Sequence, residues 1–195
     1  MTLREPQGHP EPSRGTKARP PQGERGLAHT LARKRVALGF LAAAVALLLA
    51  SPTWPRWRAG LLIAVVGECL RIWAAGHLEK AREVTRSGPY RLMRHPLYTG
   101  SAIMAFGVAV ASRSFIVTTL AAVYVVLTFV AAISTEEAAL TEKFGSIYDD
   151  YRASRAEPMT RRFSVERAIR NREHRAVAGL IGGFALLALK IAATR

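Results

Sequence analysis

The sequence predicts an all-α integral membrane protein with about five transmembrane helices. Two observations carry this prediction. Half of the 195 residues are hydrophobic, and they are concentrated in five long apolar runs that polar segments separate. Each run approaches the length of about 20 apolar residues that a helix needs to cross a bilayer core.

The apolar runs place the predicted spans. They cover residues 36–51, 59–78, 97–112, 115–133 and 176–194. The third and fourth spans are joined only by Ser112, Arg113 and Ser114, so we expect a tight helical hairpin. A polar, helical segment, residues 134–175, follows this hairpin.

The distribution of positive charge orients these helices. The chain carries 28 Lys and Arg against 14 Asp and Glu, a formal net charge of +14. Eight basic residues lie in residues 1–35, five in the loop 79–96 and nine in segment 134–175, together 22 of the 28. With five spans these regions share one side, which the positive-inside rule makes the cytoplasm. The C-terminus then lies on the opposite side, and the charge needs no nucleic-acid partner.

Composition divides the chain into a tail and one membrane domain. Residues 1–35 hold half of the ten prolines and lack apolar periodicity, so we expect a disordered basic tail. Residues 36–195 form a single membrane domain whose motifs lie in residues 65–152. Cys69 is the one cysteine, which excludes an intrachain disulfide and a cysteine-based zinc site. We expect no bound metal.

The segment Ser87–Gly100, between the second and third spans, is the first candidate site. Pro89 and Pro96 each fix φ and restrict the preceding residue, so the segment is bent into a defined shape. Its functional side chains are Tyr90, Arg91, Arg94, His95 and Tyr98. Shaped loops often carry function, although a basic connector between two spans would have the same composition.

A second cluster begins at Glu136 and Glu137. It continues with one apolar and aromatic helix face, formed by Leu140, Phe144, Tyr148 and Tyr151. The two glutamates either cap a helix, since Ser134 and Glu137 fit a capping box, or hold a polar or cationic ligand. Because the hairpin returns the chain to the side on which it entered, we expect this cluster beside Ser87–Gly100.

Glu68 and Arg71 lie inside the second span. They are three residues apart and therefore share one face of a helix. Charges at that depth are usually paired or face a cavity. We interpret them as an internal ion pair rather than as ligand contacts.

The two segments read Gly88-Pro-Tyr-Arg-x-x-Arg-His-Pro-x-Tyr-x-Gly100 and Glu136-Glu137-x-x-Leu140-x-x-x-Phe144-Gly145-x-x-Tyr148-x-x-Tyr151. Together they resemble the isoprenylcysteine carboxyl methyltransferase family and the related phospholipid N-methyltransferases, over about residues 65–152. The resemblance implies an integral membrane enzyme that binds S-adenosylmethionine in a cytoplasm-facing pocket. By motif position, the cofactor site would be formed by Val84, Thr85, Tyr90, His95, Pro96, Leu97, Tyr98, Glu136 and Glu137.

The resemblance also implies a lipid-linked or hydrophobic methyl acceptor in the membrane, either a carboxylate of the isoprenylcysteine type or an amine headgroup. A carboxylate is ionised at neutral pH and needs no base, whereas an amine must lose a proton, which His95 or a glutamate could take. The chain departs from the eukaryotic enzymes at Ala132, where they carry a substrate-binding arginine. Arg91 and Arg94 either orient the loop against lipid headgroups, or one of them meets the acceptor instead. His95 and Arg94 are the predicted catalytic residues.

Two other classes of function stay open on the sequence. Membrane sterol reductases that use NADPH carry a similar Arg-His-Pro-x-Tyr segment. A non-catalytic membrane scaffold would explain the spans but not the paired motifs. The sequence specifies neither the acceptor nor the oligomeric state.

Overall fold

A computed structural model describes residues 39–80 and 82–194. Within these residues the chain forms seven α-helices and one short 3-10 helix, and it contains no strand. The helices are α1 (Gly39–Leu49), α2 (Trp54–Ala75), the 3-10 helix (Gly88–Arg91), α3 (Pro96–Ser112), α4 (Phe115–Phe144), α5 (Ser146–Arg152), α6 (Val165–Arg170) and α7 (Glu173–Ala193). The all-α fold class is confirmed for this part of the chain. The predicted tail, residues 1–35, lies outside the described residues.

Helices α4 and α7 are long and apolar enough to cross a membrane. Helix α3 and the described part of α1 are apolar but shorter. Helix α2 begins at Trp54, ahead of the predicted start at Ala59, because Pro55 suits the first turn of a helix. A helix occupies each of the five predicted spans, and the number that cross a membrane stays a prediction.

Helices α2 and α3 pack against each other along four glycines. Gly60 faces Gly107 and Gly67 faces Gly100, so each helix contributes two glycines at a spacing of seven. A Cβ atom at Gly60 would lie 2.4 Å from the carbonyl oxygen of Gly107. Only residues without a side chain allow two backbones to approach this closely. This glycine seam fixes α3, and with it the segment that precedes α3, relative to α2.

The predicted hairpin of α3 and α4 is present. Arg113 ends α3 in the left-handed region, with φ 51° and ψ 30°. The side-chain oxygen of Ser114 then accepts a hydrogen bond from the N–H of Val117 at 3.4 Å and caps α4. Because the connection is this short, the two helices return side by side.

Helix α4 continues well beyond the predicted end of the fourth span. It runs unbroken to Phe144, and Gly145, with φ 50°, separates it from α5. The Ser134 hydroxyl donates to the carbonyl oxygen of Val130 at 2.7 Å, as a serine inside a helix does. The capping-box alternative for Ser134 and Glu137 is therefore wrong. At 30 residues the helix is about 45 Å long, so its last turns extend past an apolar core of about 30 Å.

Helix α7 packs back onto α1 and α2. The indole N–H of Trp57 donates to the carbonyl oxygen of Phe184 at 2.8 Å. The ammonium of Lys190 donates to the carbonyl oxygens of Leu47 at 2.7 Å and Leu48 at 2.9 Å, which satisfies the end of α1. Helix α7 runs antiparallel to α2. Glu173, at the start of α7, therefore lies at the end of α2 that leads into the candidate site.

Candidate functional site

A cleft lies where the chain leaves α2, enters α3 and reaches the end of α4. Its lining residues come from these three regions and from α5: Leu78, Glu79, Lys80, Glu83, Val84, Thr85, Tyr90, Arg94, His95, Glu136, Leu140, Tyr148 and Tyr151. The cavity inside has a volume of about 60 Å³. Ligand pockets usually measure about 300–1,000 Å³, so a nucleoside-sized ligand requires exposed side chains at the rim, such as Lys80 and Arg94, to move.

Five of the nine residues predicted to bind a cofactor line this cleft. They are Val84, Thr85, Tyr90, His95 and Glu136. The predicted catalytic residue Arg94 lines it as well. The two segments singled out in the sequence therefore meet, as the hairpin topology predicts.

The other four predicted residues do not line the cleft: Pro96, Leu97, Tyr98 and Glu137. Pro96 is the buried first residue of α3, and Leu97 turns its carbonyl oxygen toward α2. The ring of Tyr98 packs edge-on against His95 at 5.9 Å and Phe129 at 5.2 Å, measured between ring centroids. These four residues pack behind the side chains that line the cleft and hold them in position.

Glu137 connects the two predicted catalytic side chains. Its Oε1 atom accepts a hydrogen bond from Nε2 of His95 at 3.0 Å and another from the guanidinium of Arg94 at 3.1 Å. Because a carboxylate only accepts, Nε2 carries a hydrogen in this arrangement, and Nδ1 is the acceptor when the ring is neutral. Hydrogen bonds to charged groups are strong, so Glu137 orients the imidazole ring.

Tyr90 and Tyr151 join the 3-10 helix to α5. The Tyr151 hydroxyl donates to the carbonyl oxygen of Tyr90 at 2.8 Å. Burial raises the pKa of Tyr90, and the nearby Glu136 carboxylate raises it further. Burial also raises the pKa of Tyr151 to about 12. Both phenols therefore stay protonated at neutral pH and act as hydrogen-bond donors.

Tyr148 belongs to the second cluster of the sequence but was not among the predicted site residues. It lines the cleft with only 1% of its surface exposed, and no described residue forms a hydrogen bond with its buried hydroxyl. Burial raises the pKa of this phenol as well. A buried donor without a partner costs about 1–3 kcal/mol. Helical spacing placed Tyr148 on one face with Tyr151, but spacing cannot show that its hydroxyl lacks a partner.

A buried ionic cluster joins α2, α3 and α7. The Nε atom of Arg71 donates to Glu173 at 2.7 Å and lies 3.7 Å from Glu68. Another guanidinium nitrogen donates to the carbonyl oxygen of Leu97 and to the hydroxyl of Ser101. Neither carboxylate oxygen of Glu68 has a hydrogen-bond partner among the described residues. The predicted pair of Glu68 and Arg71 is present, and Glu173 is the closer partner.

One known protein family matches the sequence over more than half of the chain. The phospholipid methyltransferase family matches residues 35–147. The chain belongs to this family. It is therefore a membrane protein of a methyltransferase family, as the motifs predicted. No solved structure is significantly similar to it.

Two curated relatives align with part of the chain. The nickel-cobalt-cadmium resistance protein NccN of Alcaligenes xylosoxydans xylosoxydans is 31% identical over 94 residues, covering 47% of this chain and 42% of NccN. The cobalt-zinc-cadmium resistance protein CzcN of Cupriavidus metallidurans is 34% identical over 87 residues, covering 44% of this chain and 39% of CzcN. The chain thus spans about two fifths of each relative's length. Within residues 39–80 and 82–194, no group of three or more His, Cys, Asp or Glu could hold a metal ion.

The segment that follows the family's matched region braces the cleft. Arg161 donates to Glu83 at 2.8 Å, and Arg167 donates to Glu79 at 2.8 Å. Arg170 donates to the same oxygen of Glu79 at 2.9 Å. Both glutamates line the cleft. The sequence indicated only a polar, basic segment here, because these partners are 78 to 91 residues apart.

Replacing Arg167 with glutamine is expected to lower the free energy of unfolding by about 1–3 kcal/mol at neutral pH, the scale of a hydrogen bond to a charged group. The hydrogen bond from Arg167 holds the pKa of Glu79 below its ordinary range, and Arg170 lowers it further. A carboxyl whose pKa is lower in the folded state stabilises the fold above its unfolded pKa. That contribution is lost as the pH falls through the folded pKa.

The measurement is the thermal midpoint in detergent at about pH 7 and at about pH 3, on either side of the ordinary carboxyl range. The difference in thermal midpoint between wild type and Arg167→Gln should be large at the higher pH and smaller at the lower one, where the hydrogen bonds from Arg167 to the carbonyl oxygens of Gly76 and Arg162 remain. Arg162→Gln, on an exposed arginine of the same segment, is the matched control and should show no gap. A gap that is equal at both pH values would contradict the role of Glu79.

Proposed function

We propose that the protein is a membrane methyltransferase that uses S-adenosylmethionine and methylates a lipid-linked or hydrophobic acceptor. The acceptor is either a carboxylate of the isoprenylcysteine type or an amine headgroup. Membership of the phospholipid methyltransferase family supports the reaction class. The observation that carries the proposal is the cleft in which Glu136, His95 and the unpartnered hydroxyl of Tyr148 converge from distant parts of the chain.

The side chains of the cleft fit this cofactor. The carboxylate of Glu136 accepts hydrogen bonds of the kind that ribose hydroxyls or the cofactor's amine donate. The hydroxyl of Tyr148 is a donor without a protein partner, as the cofactor's carboxylate requires. Further lining of the cleft comes from Val84, Thr85 and Tyr90. Pro96, Leu97, Tyr98 and Glu137 complete the proposed cofactor site from behind. When bound, S-adenosylmethionine supplies a methyl group on a sulfonium centre.

The protein's own residues align the reactants and, for an amine acceptor, remove one proton. In-line displacement requires the acceptor atom, the methyl carbon and the sulfur to be held in line. The α2–α3 seam and Tyr98 hold one side of the cleft rigid, which favours this alignment. For an amine acceptor, His95 takes the proton at Nδ1 while Nε2 stays bonded to Glu137. For a carboxylate acceptor no base is needed, and the guanidinium of Arg94 is the group that meets the negative charge.

The same proposal includes the membrane topology. The protein would have five spans, with the N-terminus and the cleft on the cytoplasmic side and the C-terminus on the opposite side. The positive-inside rule supports this orientation. The cleft end of the bundle also contains the loop 79–96 and segment 134–175, which are rich in arginine. An acceptor with an apolar tail would reach the cleft from between the spans.

Binding of S-adenosylmethionine to detergent-purified protein, measured by titration calorimetry, tests the proposal. Glu136→Ala should weaken binding about tenfold or more, since it removes a charged acceptor. Tyr148→Phe deletes a single oxygen and should weaken binding about fivefold, the value of one neutral hydrogen bond. The Tyr148→Phe protein should be at least as stable as the wild type, because the buried hydroxyl has no protein partner.

Glu142→Ala is the control, since Glu142 is an exposed residue of the same helix that does not line the cleft. Its affinity should equal that of the wild type. Absence of binding by the wild-type protein would overturn the proposed function. Heat of binding with NADPH but not with S-adenosylmethionine would favour a reductase instead.

A further inference from the structure

A second cavity lies at the end of the bundle opposite the cleft. It has a volume of about 310 Å³ and is bordered by Arg56 of α2, Phe106 and Val110 of α3, and Arg113 and Phe115 at the turn into α4. Helix α3 has 17 residues and separates the two cavities by about 25 Å. The proposed methyl transfer makes no use of this second cavity.

The two arginines of this cavity carry uncompensated charge. Both are exposed, and no described residue forms a hydrogen bond or an ion pair with either guanidinium. Helix α3 contains no Asp or Glu, α4 has none before Glu136, and the first in α2 is Glu68. Every acidic side chain of the described residues therefore lies nearer the cleft end. An anion is the ligand that this end attracts.

The backbone of the turn holds Arg113 at the mouth of the cavity. Arg113 has a left-handed conformation, with φ 51°, at the helix end where glycine is usual. The turn around it is fixed: the N–H of Ser51 donates to the carbonyl oxygen of Ser112 at 2.9 Å, and the N–H of Ser114 donates to the Ser112 hydroxyl at 3.3 Å. The chain places a charged side chain at a position that glycine would fill without strain.

Besides the arginines, the cavity is lined by the apolar residues Phe106, Ala109, Val110 and Phe115 and by the hydroxyl residues Ser114 and Thr118. The rings of Phe106 and Phe115 are 59% and 86% exposed, and both border the cavity with the arginines. Trp54 and Trp57 pack edge to face at 5.7 Å near the same end of α2, where tryptophan suits a membrane interface. A cationic mouth beside exposed apolar rings matches a ligand that has an anionic head and an apolar tail.

We propose that this cavity binds one anionic phospholipid, with its phosphate between Arg56 and Arg113 and an acyl chain along Phe106 and Val110. Basic pockets between membrane helices on the cytoplasmic side hold anionic headgroups, and the same attraction between arginine and phosphate applies at this opposite end of the bundle. The lipid would fasten the turn between α3 and α4 to the start of α2. This site is independent of the proposed methyltransferase activity, because it involves none of the cleft residues.

The test is lipid-dependent stabilisation of the full-length protein in detergent. The probes are dioleoylphosphatidylglycerol, the same acyl chains on phosphatidylcholine, and water-soluble glycerol 3-phosphate. Wild-type protein should gain thermal stability with the anionic lipid and not with the other two probes, and native mass spectrometry should show one retained anionic lipid. Arg56→Gln should weaken this binding about fivefold, the scale of one basic residue near an anionic lipid surface.

Arg113→Gly is the sharper variant. Glycine suits the left-handed backbone, so the lipid-free protein should keep its thermal midpoint while losing the increment that the anionic lipid adds. Arg58→Gln removes an equal charge from a neighbouring exposed arginine that does not border the cavity, and it should keep the full increment. Equal losses in Arg58→Gln and Arg113→Gly would overturn the site in favour of general surface attraction. An equal increment with glycerol 3-phosphate would overturn the lipid as the ligand.

Discussion

Replacing Arg71 with alanine is expected to lower the free energy of unfolding by about 3–5 kcal/mol, the cost of removing one partner from a buried ionic cluster. The guanidinium is 2.7 Å from Glu173 and 3.7 Å from Glu68, and it also donates to Leu97 and Ser101. Both glutamates are buried, at 4% and 5% exposure. Without Arg71, two carboxylates would face each other in an apolar interior, and the start of α7 would lose its ionic link to α2 and α3.

Chemical unfolding in detergent micelles measures this loss, and Glu68→Gln is its counterpart. Neither oxygen of Glu68 is hydrogen-bonded to a described residue, so removing its charge should leave stability unchanged or raise it. Arg71→Ala removes a positive charge from the cluster, and Glu68→Gln removes a negative charge from the same cluster. If both destabilise the protein equally, the cluster acts as a tight ion pair of Glu68 and Arg71, and the larger role of Glu173 is wrong.

The sequence predicted the meeting of Ser87–Gly100 with Glu136 for a topological reason. A connection of two residues between the apolar runs 97–112 and 115–133 permits only an antiparallel return, and that return places the two polar ends together. The all-α class followed in the same way from the length of the apolar runs. Both predictions depend on local chain properties, which a sequence displays directly.

The fourth span was predicted from hydropathy, which marks where the apolar run ends and not where the helix ends. The residues after Ile133 become polar, yet alanine, leucine, glutamate and lysine predominate there, and these are good helix formers. Glu136 and Glu137 thus lie within a rigid helix rather than at a new helix start. Glu137 is consequently held in reach of His95 and Arg94.

The partners that no sequence pattern revealed are distant along the chain. Glu173 is 102 residues from Arg71, and Arg167 is 88 residues from Glu79. Helical spacing identifies neighbours three or four residues apart and says nothing of these pairs. The unpartnered hydroxyl of Tyr148 is likewise a property of the packed structure, since only the positions of all its neighbours reveal that none reaches it.

The glycine seam is another feature that sequence spacing did not reveal, and it leads to the other large expected effect. Gly67→Ala should lower the free energy of unfolding by about 3 kcal/mol, at the upper end for overpacking. The new Cβ atom would lie 2.6 Å from the carbonyl oxygen of Gly100 and 2.8 Å from the backbone nitrogen of Met104. Backbone atoms cannot turn aside as a side chain can, so α2 and α3 must separate.

Gly183→Ala, in α7, separates this steric effect from the general effect of alanine on a helix. Beyond its chain neighbours and the backbone of its own helix turn, no described atom lies within 4 Å of a Cβ built at Gly183, so this variant should be unchanged or more stable by up to about 1 kcal/mol, the propensity gain of alanine over glycine. Thermal midpoints of the two variants in one detergent measure the contrast. Since Gly100 lies four residues beyond Pro96, separation of the helices in Gly67→Ala should also weaken any ligand of the cleft. A Gly67→Ala protein as stable as Gly183→Ala would show that α2 and α3 are not in close contact at the seam.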